Sequence, residues 1–253
     1  MKKTYLISCL ALCLALLYSG QSLAGTPDGR LQLKARLGYS IGATAPTSVP
    51  ATIRSIDAFR LTPSLIVGAD LQINLHDKWG LLTGLHVENK GMDTEVTTKG
   101  YRMEVVKGDS KIEGLFTGHV KQEVTQWMLT LPVMCTFDVS DKVTLKAGPY
   151  FSLLLSNDFS GIASDGYLRQ GDPTGPRINM GNKKGEWATY DFSDDMRSFQ
   201  TGIAVGADWQ VHQHFGLSAD YSWGLNGIFH SDFKTVEQTL YPIYLTIGAF
   251  WKF

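Results

Sequence analysis

The chain has 253 residues, of which 43% are hydrophobic and 11% aromatic, and its 23 Lys and Arg side chains nearly balance its 24 Asp and Glu side chains. The resulting formal net charge of −1 argues against a nucleic-acid partner, because binding to phosphates needs a basic surface. A single domain of this length is ordinary for an all-β barrel.

The first residues have the pattern of a cleaved secretory signal. Two lysines precede an apolar run at residues 5–18, and the small-residue triplet Ser22-Leu23-Ala24 follows it. Because the run is short for a membrane-spanning helix, cleavage after this triplet is favoured over an uncleaved anchor. We therefore predict a signal peptide at residues 1–24 and one exported domain at residues 25–253. Cys135 is the only cysteine of that domain, so no intramolecular disulfide is expected.

Most of the exported chain alternates apolar and polar residues, which is the two-residue period of β-strands and not the 3.6-residue period of helices. The clearest example is the stretch 127–155. One of its faces carries large apolar side chains, and the other is mainly polar or glycine, on both sides of a short polar break. The same alternation predicts eight strands, at residues 31–41, 65–75, 79–89, 127–137, 143–155, 199–211, 215–225 and 241–253.

The connections between these strands alternate in length. Long polar segments follow the first, third and fifth strands, short turns follow the second, fourth and sixth, and a medium loop precedes the last. Residues 94–97 and 101–106 could extend a hairpin as strands, whereas residues 156–197, rich in Gly, Asp, Asn, Ser and Pro, are predicted to form a loop. Long outer loops and short periplasmic turns are typical of an eight-stranded antiparallel up-and-down transmembrane β-barrel.

The alternation itself is equally compatible with a soluble barrel whose apolar face points inward. Two features favour a membrane barrel. Glycines such as Gly38, Gly84 and Gly206 concentrate on the polar face, which suits the inner wall because an eight-stranded lumen is only just wide enough for side chains. Aromatic residues of the apolar face occur at strand ends, where they would form two girdles around a lipid-facing aliphatic band.

The predicted inner face also carries equal numbers of positive and negative charges. Unpaired charges inside a narrow barrel would be very costly, so we predict that these side chains pair in the lumen, with Lys146 directed toward Asp208. Tyr150, Met128 and Met134 share this face and are expected to help fill the interior, leaving no open pore. The predicted network consists of Lys34, Arg36, Asp70, Glu88, Lys146, Asp208, Asp220 and Lys252.

The C-terminal pattern Thr246-x-Gly248-x-x-Trp251-x-Phe253 resembles the assembly signal of bacterial outer-membrane barrels, which implies recognition by the barrel assembly machinery. The stretches 128–132 (MLTLP) and 146–150 (KAGPY) resemble two motifs of the PorT-type, OmpA-like outer-membrane barrels of Bacteroidetes. The glycine-rich hairpin of the sixth and seventh predicted strands resembles a third. The resemblance implies localisation in the outer membrane of a Gram-negative bacterium and leaves the physiological role open.

Candidate catalytic and metal-binding residues form no clear pattern. The sequence gives no acid–His–Ser arrangement among the acids, histidines and serine of the outer segments, which are His119, His230, Asp158, Asp194, Asp195 and Ser156. His212 and His214 alternate as metal ligands on a strand do, but they stand at a short turn without a third ligand. We therefore predict a non-enzymatic protein without cofactor or metal.

Together these observations favour a monomeric surface or scaffold protein whose loops are available for binding. Its expected partners are outer-membrane lipid and lipopolysaccharide, the barrel assembly machinery during biogenesis, and an unidentified partner of the loops. The alternatives are a small-solute, porin-like channel, an accessory subunit of a protein secretion or transport machine, and a soluble ligand-binding barrel.

Overall fold

The computed structural model describes residues 30–46, 49–60, 62, 64–108, 110–233, 235 and 238–253, and the predicted signal peptide lies outside them. Among the described residues, no helix is long and apolar enough to cross a membrane. One antiparallel sheet and a short 3-10 helix, Ser193–Asp195, make up the described secondary structure. In chain order its strands are β1 (Leu31–Pro46), β2 (Ile53–Arg60), β3 (Leu65–His76), β4 (Trp79–Lys107), β5 (Ser110–Ser140), β6 (Val143–Gln170), β7 (Arg177–Met180), β8 (Ala188–Asp191), β9 (Phe199–Gln210), β10 (Phe215–Gly224) and β11 (Leu240–Lys252).

Eight of these described strands close into a barrel. Its neighbours follow the order β1, β3, β4, β5, β6, β9, β10 and β11, and the pairing of β11 with β1 completes the ring. Apart from the closing pair, each ring strand is paired with the ring strand that follows it in the chain, which is the up-and-down arrangement. The prediction of an eight-stranded antiparallel barrel is confirmed.

Three strands extend far beyond the membrane-spanning part of the barrel. β4, β5 and β6 contain 29, 31 and 28 residues, compared with roughly 9–11 residues for one crossing of a bilayer. Residues 156–170 continue β6, and β7 and β8 pair with this continuation. The prediction of a loop over residues 156–197 was therefore wrong. The segment looks like a loop in composition because its outer face meets water and carries polar residues.

The outer surface of the barrel is apolar. Leu37, Leu145 and Ile247 are 58%, 47% and 55% exposed although they lie within strands whose alternate residues are buried. In a water-soluble protein, a continuous exposed band of such side chains would be unfavourable. At one edge of the band, the rings of Trp79 and Phe137 lie 4.7 Å apart. The band is the surface that contacts lipid.

The upper parts of β4, β5 and β6 form a second body, which we call the extracellular head: the described parts of residues 53–60, 92–126, 156–197 and 226–240. It lies at the end of the barrel that carries the long connections, which is the outer side in outer-membrane barrels. Its interior is an apolar core with aromatic contacts of 4.7 to 6.5 Å between ring centroids. The rings that make these contacts belong to Tyr190, Phe159, Phe192, Phe229 and Phe233, and the core also contains the buried Phe116.

Candidate functional site

Arg36 lies at the centre of the barrel lumen and is almost fully buried. The alternation of β1 directs its side chain inward, where it reaches carboxylates on three other strands. Its Nε donates to Asp70 Oδ2 at 2.7 Å, Nη1 to Asp220 Oδ2 at 2.7 Å, and Nη2 to Asp208 Oδ1 at 3.4 Å. One guanidinium therefore links β1 to β3, β9 and β10 across the interior.

Two lysines complete this arrangement. Lys146 Nζ lies 2.6 Å from Asp208 Oδ1 and 2.9 Å from Asp220 Oδ1, and Lys34 Nζ lies 3.1 Å from Asp208 Oδ2. His86 Nε2 contacts the remaining oxygen of Asp70 at 2.6 Å. Three cationic side chains and three carboxylates thus balance one another. We call this set the lower charge cluster: Lys34, Arg36, Asp70, Lys146, Asp208 and Asp220.

Glycines of the inner wall make room for these carboxylates. A Cβ atom at Gly206 would lie 2.1 Å from Asp220 Oδ1, and one at Gly84 would lie 2.6 Å from Asp70 Oδ1. Both distances are too short for non-bonded atoms. Glycine is therefore needed on the inner face for two reasons. The lumen is narrow throughout, and at Gly84 and Gly206 the carboxylates of the ion pairs occupy the space that a side chain would need.

A second ion pair lies above the lower charge cluster. Lys90 Nζ contacts Glu88 Oε1 at 3.2 Å, and Thr130 donates a hydrogen bond to the same carboxylate. The ammonium group also lies 5.3 Å and 5.4 Å from the ring centroids of Tyr150 and Tyr244, both of which are buried. A cation held over aromatic faces in this way is stabilised by their quadrupoles. We call Glu88, Lys90, Tyr150 and Tyr244 the upper plug.

The structure places seven of the eight predicted network residues in these two layers, and Lys252 in neither. Lys252 lies at the periplasmic mouth, where it lines a vestibule of about 460 Å³, and it makes no ion pair with any described residue. Lys90 partners Glu88 instead. It was missed because the third predicted strand ended at residue 89, although Lys90 has the same inward parity as Glu88.

Little space remains between the layers. A cavity of about 60 Å³ lies between the lower charge cluster and the upper plug. Below the cluster, Lys34 Nζ sits 4.8 Å from the ring centroid of Phe250, and Lys34, Asp208 and Phe250 all line the vestibule. Met128 and Met134 are buried at 0% and 7% exposure on the same inner face. The interior is packed with side chains over most of its height.

The four residues of the C-terminal pattern lie on and just beyond β11, the strand that closes the ring with β1. Thr246 Oγ1 shares a hydrogen bond of 2.7 Å with Ser40, and a Cβ at Gly248 would lie 2.5 Å from the carbonyl oxygen of Leu37. Trp251 is half exposed and faces outward, and the backbone N–H of Phe253 donates to Leu33 at 3.0 Å. These residues thus lie along the closing seam of the barrel.

Among the described residues, the two candidate histidines of the outer segments contact different acidic residues. His119 Nδ1 lies 3.3 Å from Asp57 Oδ2 on the exposed face of the head, and the backbone N–H of His230 donates to the carbonyl of Asp195. No group of three or more His, Cys, Asp and Glu side chains among the described residues could hold a metal ion. His214 Nδ1 instead contacts the carbonyl oxygen of Lys252 at 3.0 Å.

A closed antiparallel barrel with an apolar outer band and a charged, packed lumen defines an integral membrane β-barrel. The chain belongs to the outer membrane protein beta-barrel domain family, whose model matches residues 20–230, and this places the protein in the outer membrane. No curated protein sequence matches it significantly.

Several solved structures are similar in fold, all at low sequence identity. CarO2 of Acinetobacter baumannii is 10% identical, with 88% of this chain and 99% of that chain covered and a TM-score of 0.42. Ail of Yersinia pestis is 9% identical, with 88% and 97% covered and a TM-score of 0.36. OprG from Pseudomonas aeruginosa is 12% identical, with 88% and 95% covered and a TM-score of 0.32.

Proposed function

We propose that this outer-membrane protein is a non-enzymatic surface scaffold, in which a plugged barrel anchors a folded extracellular head that binds a partner. The observation that carries the proposal is the lower charge cluster. Arg36 alone bridges to carboxylates on three other strands, so the ion pairs span the lumen instead of lining one side of it. A layer of this kind blocks a passage and also ties opposite walls together.

The interior argues against a small-solute channel. Water-filled pores occur in much wider barrels, whereas an eight-stranded barrel is filled by its own side chains. Here the lower charge cluster and the upper plug lie one above the other, with only the cavity of about 60 Å³ between them. A solute would have to break both layers of buried ion pairs to pass.

The head has the properties of a stable binding platform. Its strands continue those of the barrel without a flexible linker, and contacts tie together its outer end. Lys107 Nζ donates to the carbonyl of Asn179 at 2.6 Å, and the Arg177 guanidinium lies 4.1 Å from the ring centroid of Tyr167. Binding sites held on rigid strands lose little conformational entropy when a partner binds.

Recording of ionic current through planar bilayers tests the plugged barrel. We expect the purified full-length protein to insert without producing stable conductance. The triple variant Glu88→Ala, Lys90→Ala and Tyr150→Ala removes three of the four residues of the upper plug without changing the net charge, and it serves as the comparison for a weakened barrier. Stable conductance of the unaltered protein at the level of that variant would contradict the proposal and favour a small channel.

The route to the membrane is part of the proposal. We propose cleavage of the signal peptide after Ala24 and recognition of the C-terminal pattern by the barrel assembly machinery. Membership of the PorT-type subgroup and a source among the Bacteroidetes remain predictions. Deletion of Phe253 should lower the amount of folded protein in the outer membrane, measured as the fraction that shifts on a heat-modifiability gel. Unchanged amounts would count against an assembly role for this residue.

A further inference from the structure

The wall of the barrel divides above its membrane-spanning part. β3 pairs with β1 only up to the level of Leu65 and Tyr39. Beyond that level β2 continues along β4, whereas the upper part of β1 pairs with β11 and, in the described part of the chain, not with β2. The upper part of β1 and β2 therefore diverge and leave an opening that leads into the head.

This opening is an apolar groove of about 200 Å³. One wall is the end of β1 from Ala43 to Pro46, the other is β2, and the inner end reaches Phe159 and Phe192 of the head core. None of the residues that line it is charged; its polar members are hydroxyl and amide side chains. Concave, mostly apolar pockets with a few polar groups are the usual form of small-molecule binding sites.

The apolar wall of β2 depends on two irregularities in its pairing. Register shifts occur between Ile53 and Ser55 and again between Ile56 and Ala58. Each shift adds one residue to β2. Side chains three positions apart therefore share a face, whereas in a regular strand side chains two positions apart do so. Ile53, Ile56 and Phe59 consequently face the groove, opposite Thr98, Val96 and Thr94 of β4.

A regular strand would instead have directed Ser55 and Asp57 to the same face as Ile53 and Phe59. The bulges therefore turn polar residues outward and assemble a continuous apolar surface from a mixed sequence. Bulges also make a strand edge a poor template for pairing with another strand, which argues against a peptide that adds to β2.

The groove remains partly open to its surroundings. Ile56 and Val49 are each 61% exposed and Phe59 is 45% exposed, although the outer face of the head is otherwise polar. Thr94, the partner of Phe59, lies roughly 16 Å further along β4 than Asn89, which pairs with Trp127 at the outer end of the fourth predicted membrane strand. The apolar wall therefore stands above the lipid band, on the water side.

We propose that this groove binds the hydrocarbon chain of a single-chain amphiphile, such as a long-chain fatty acid, that enters from water. The chain lies between β1 and β2 and against the head core, and the polar head group remains at the open mouth. The uncharged lining suits the chain and not the head group. The proposal is independent of whether the head also binds a macromolecular partner.

Photo-cross-linking tests the site in the intact protein. The full-length protein is reconstituted in lipid nanodiscs, incubated with palmitic acid that carries a diazirine in its chain, irradiated, and mapped by mass spectrometry. We expect cross-links on Ile53–Phe59 and on the facing part of β4, reduced at least tenfold by excess unlabelled palmitate. A parallel sample contains phosphatidylcholine with a diazirine in one acyl chain and should label the barrel face around Leu145–Leu153 instead.

Two matched variants test whether the palmitate cross-links depend on the apolar wall of the groove. Ile56→Asp places a carboxylate in the apolar wall and should reduce the palmitate cross-links at least fivefold. Arg54→Asp places the same group on β2 outside the groove and should leave them unchanged, and a heat-modifiability gel verifies folding of both. Palmitate cross-links confined to the barrel surface, groove cross-links unaffected by Ile56→Asp, or groove labelling by phosphatidylcholine alone would each overturn the proposal.

Discussion

The barrel and the extracellular head are built from the same strands but have opposite interiors. On β5, the inward residues of the barrel include Thr130 and Thr136, and the outward ones include Leu131 and Cys135. Further up, the inward residues are Val120 and Val124, and the outward ones are Lys121 and Glu123. The parity of the strand is the same in both regions, and the chemistry of its two faces is exchanged.

The comparison shows that the surrounding medium decides which face is apolar. In the barrel the outer face meets lipid, so the polar residues are confined to the lumen and must pair there. In the head the outer face meets water, so the apolar residues form a core as in a soluble β-protein. The lower charge cluster and the aromatic core of the head therefore have equivalent positions and opposite compositions.

Removal of one charge from the barrel interior should produce the largest effect. Arg36→Met leaves the three carboxylates of the lower charge cluster with two lysines, and an uncompensated buried charge costs about 3–5 kcal/mol. We expect little folded, heat-modifiable protein in the membrane. The double variant Arg36→Met with Asp220→Asn restores the charge balance and should recover part of the folded form. Normal folding of the single variant would show that the cluster is not needed.

Removal of one ring from the head interior should have a smaller and local effect. Phe159 is 1% exposed and contacts Phe192 and Phe229, so Phe159→Ala should cost about 3–5 kcal/mol within the head alone. Limited proteolysis should cleave the head faster while the barrel still shifts on a heat-modifiability gel. Phe151→Ala, on the lipid-facing surface, is the control and should leave the head protected. Loss of the folded barrel in Phe159→Ala would contradict two separable interiors.

The sequence predicted the barrel more completely than the head for a physical reason. In the barrel, large apolar residues such as Leu37 and Leu145 alternate with charges and glycines, which gives a strong pattern with a period of two. In the head the apolar positions are spaced less evenly. A register shift in the pairing of β6 with β5 near Trp127 changes which residues face inward, so that Phe159 and Ala163 are buried there. The polar outer face then made residues 156–197 look like a loop.

The charged residues of the lumen illustrate the same limit. Alternation along β1, β6 and β9 was sufficient to orient Lys34, Lys146 and Asp208, because these strands are regular where they cross the membrane. It could not give the partner of Glu88, since the sequence does not mark where β4 leaves the membrane and Lys90 lies just beyond the predicted end. The groove was not predictable either, because the bulges of β2 are visible only in its pairing with β4.

Acidification should have the smallest effect, on the exposed face of the head. Hydrogen bonds from Ser55 and Thr97, each 2.6 Å long, lower the pKa of the Asp57 carboxyl. A lowered pKa means that the ionised carboxylate stabilises the folded state at neutral pH and that this contribution is lost as the pH falls through the folded-state pKa. The protection factors of the β2 amides, which correct for the slower intrinsic exchange in acid, should therefore fall relative to those of the barrel strands.

The Asp57→Asn variant provides the control for this small effect. It should show the lower β2 protection factors already at neutral pH and little further change in them in acid. An identical pH dependence in the variant and the unaltered protein would mean that another group is responsible.

The exchange of interior and exterior along one strand is tested most directly by spin labels on β5. Single cysteines are placed at outward positions in a Cys135→Ser background, with the native Cys135 as one further site, and the labelled proteins are reconstituted in bilayers. Collisions with oxygen, which partitions into lipid, are compared with those of a water-soluble nickel complex. We predict that oxygen dominates at Leu131 and Cys135 and that the nickel complex dominates at Lys121 and Glu123. Lipid-like values at all four positions, or water-like values at Leu131 and Cys135, would contradict the account.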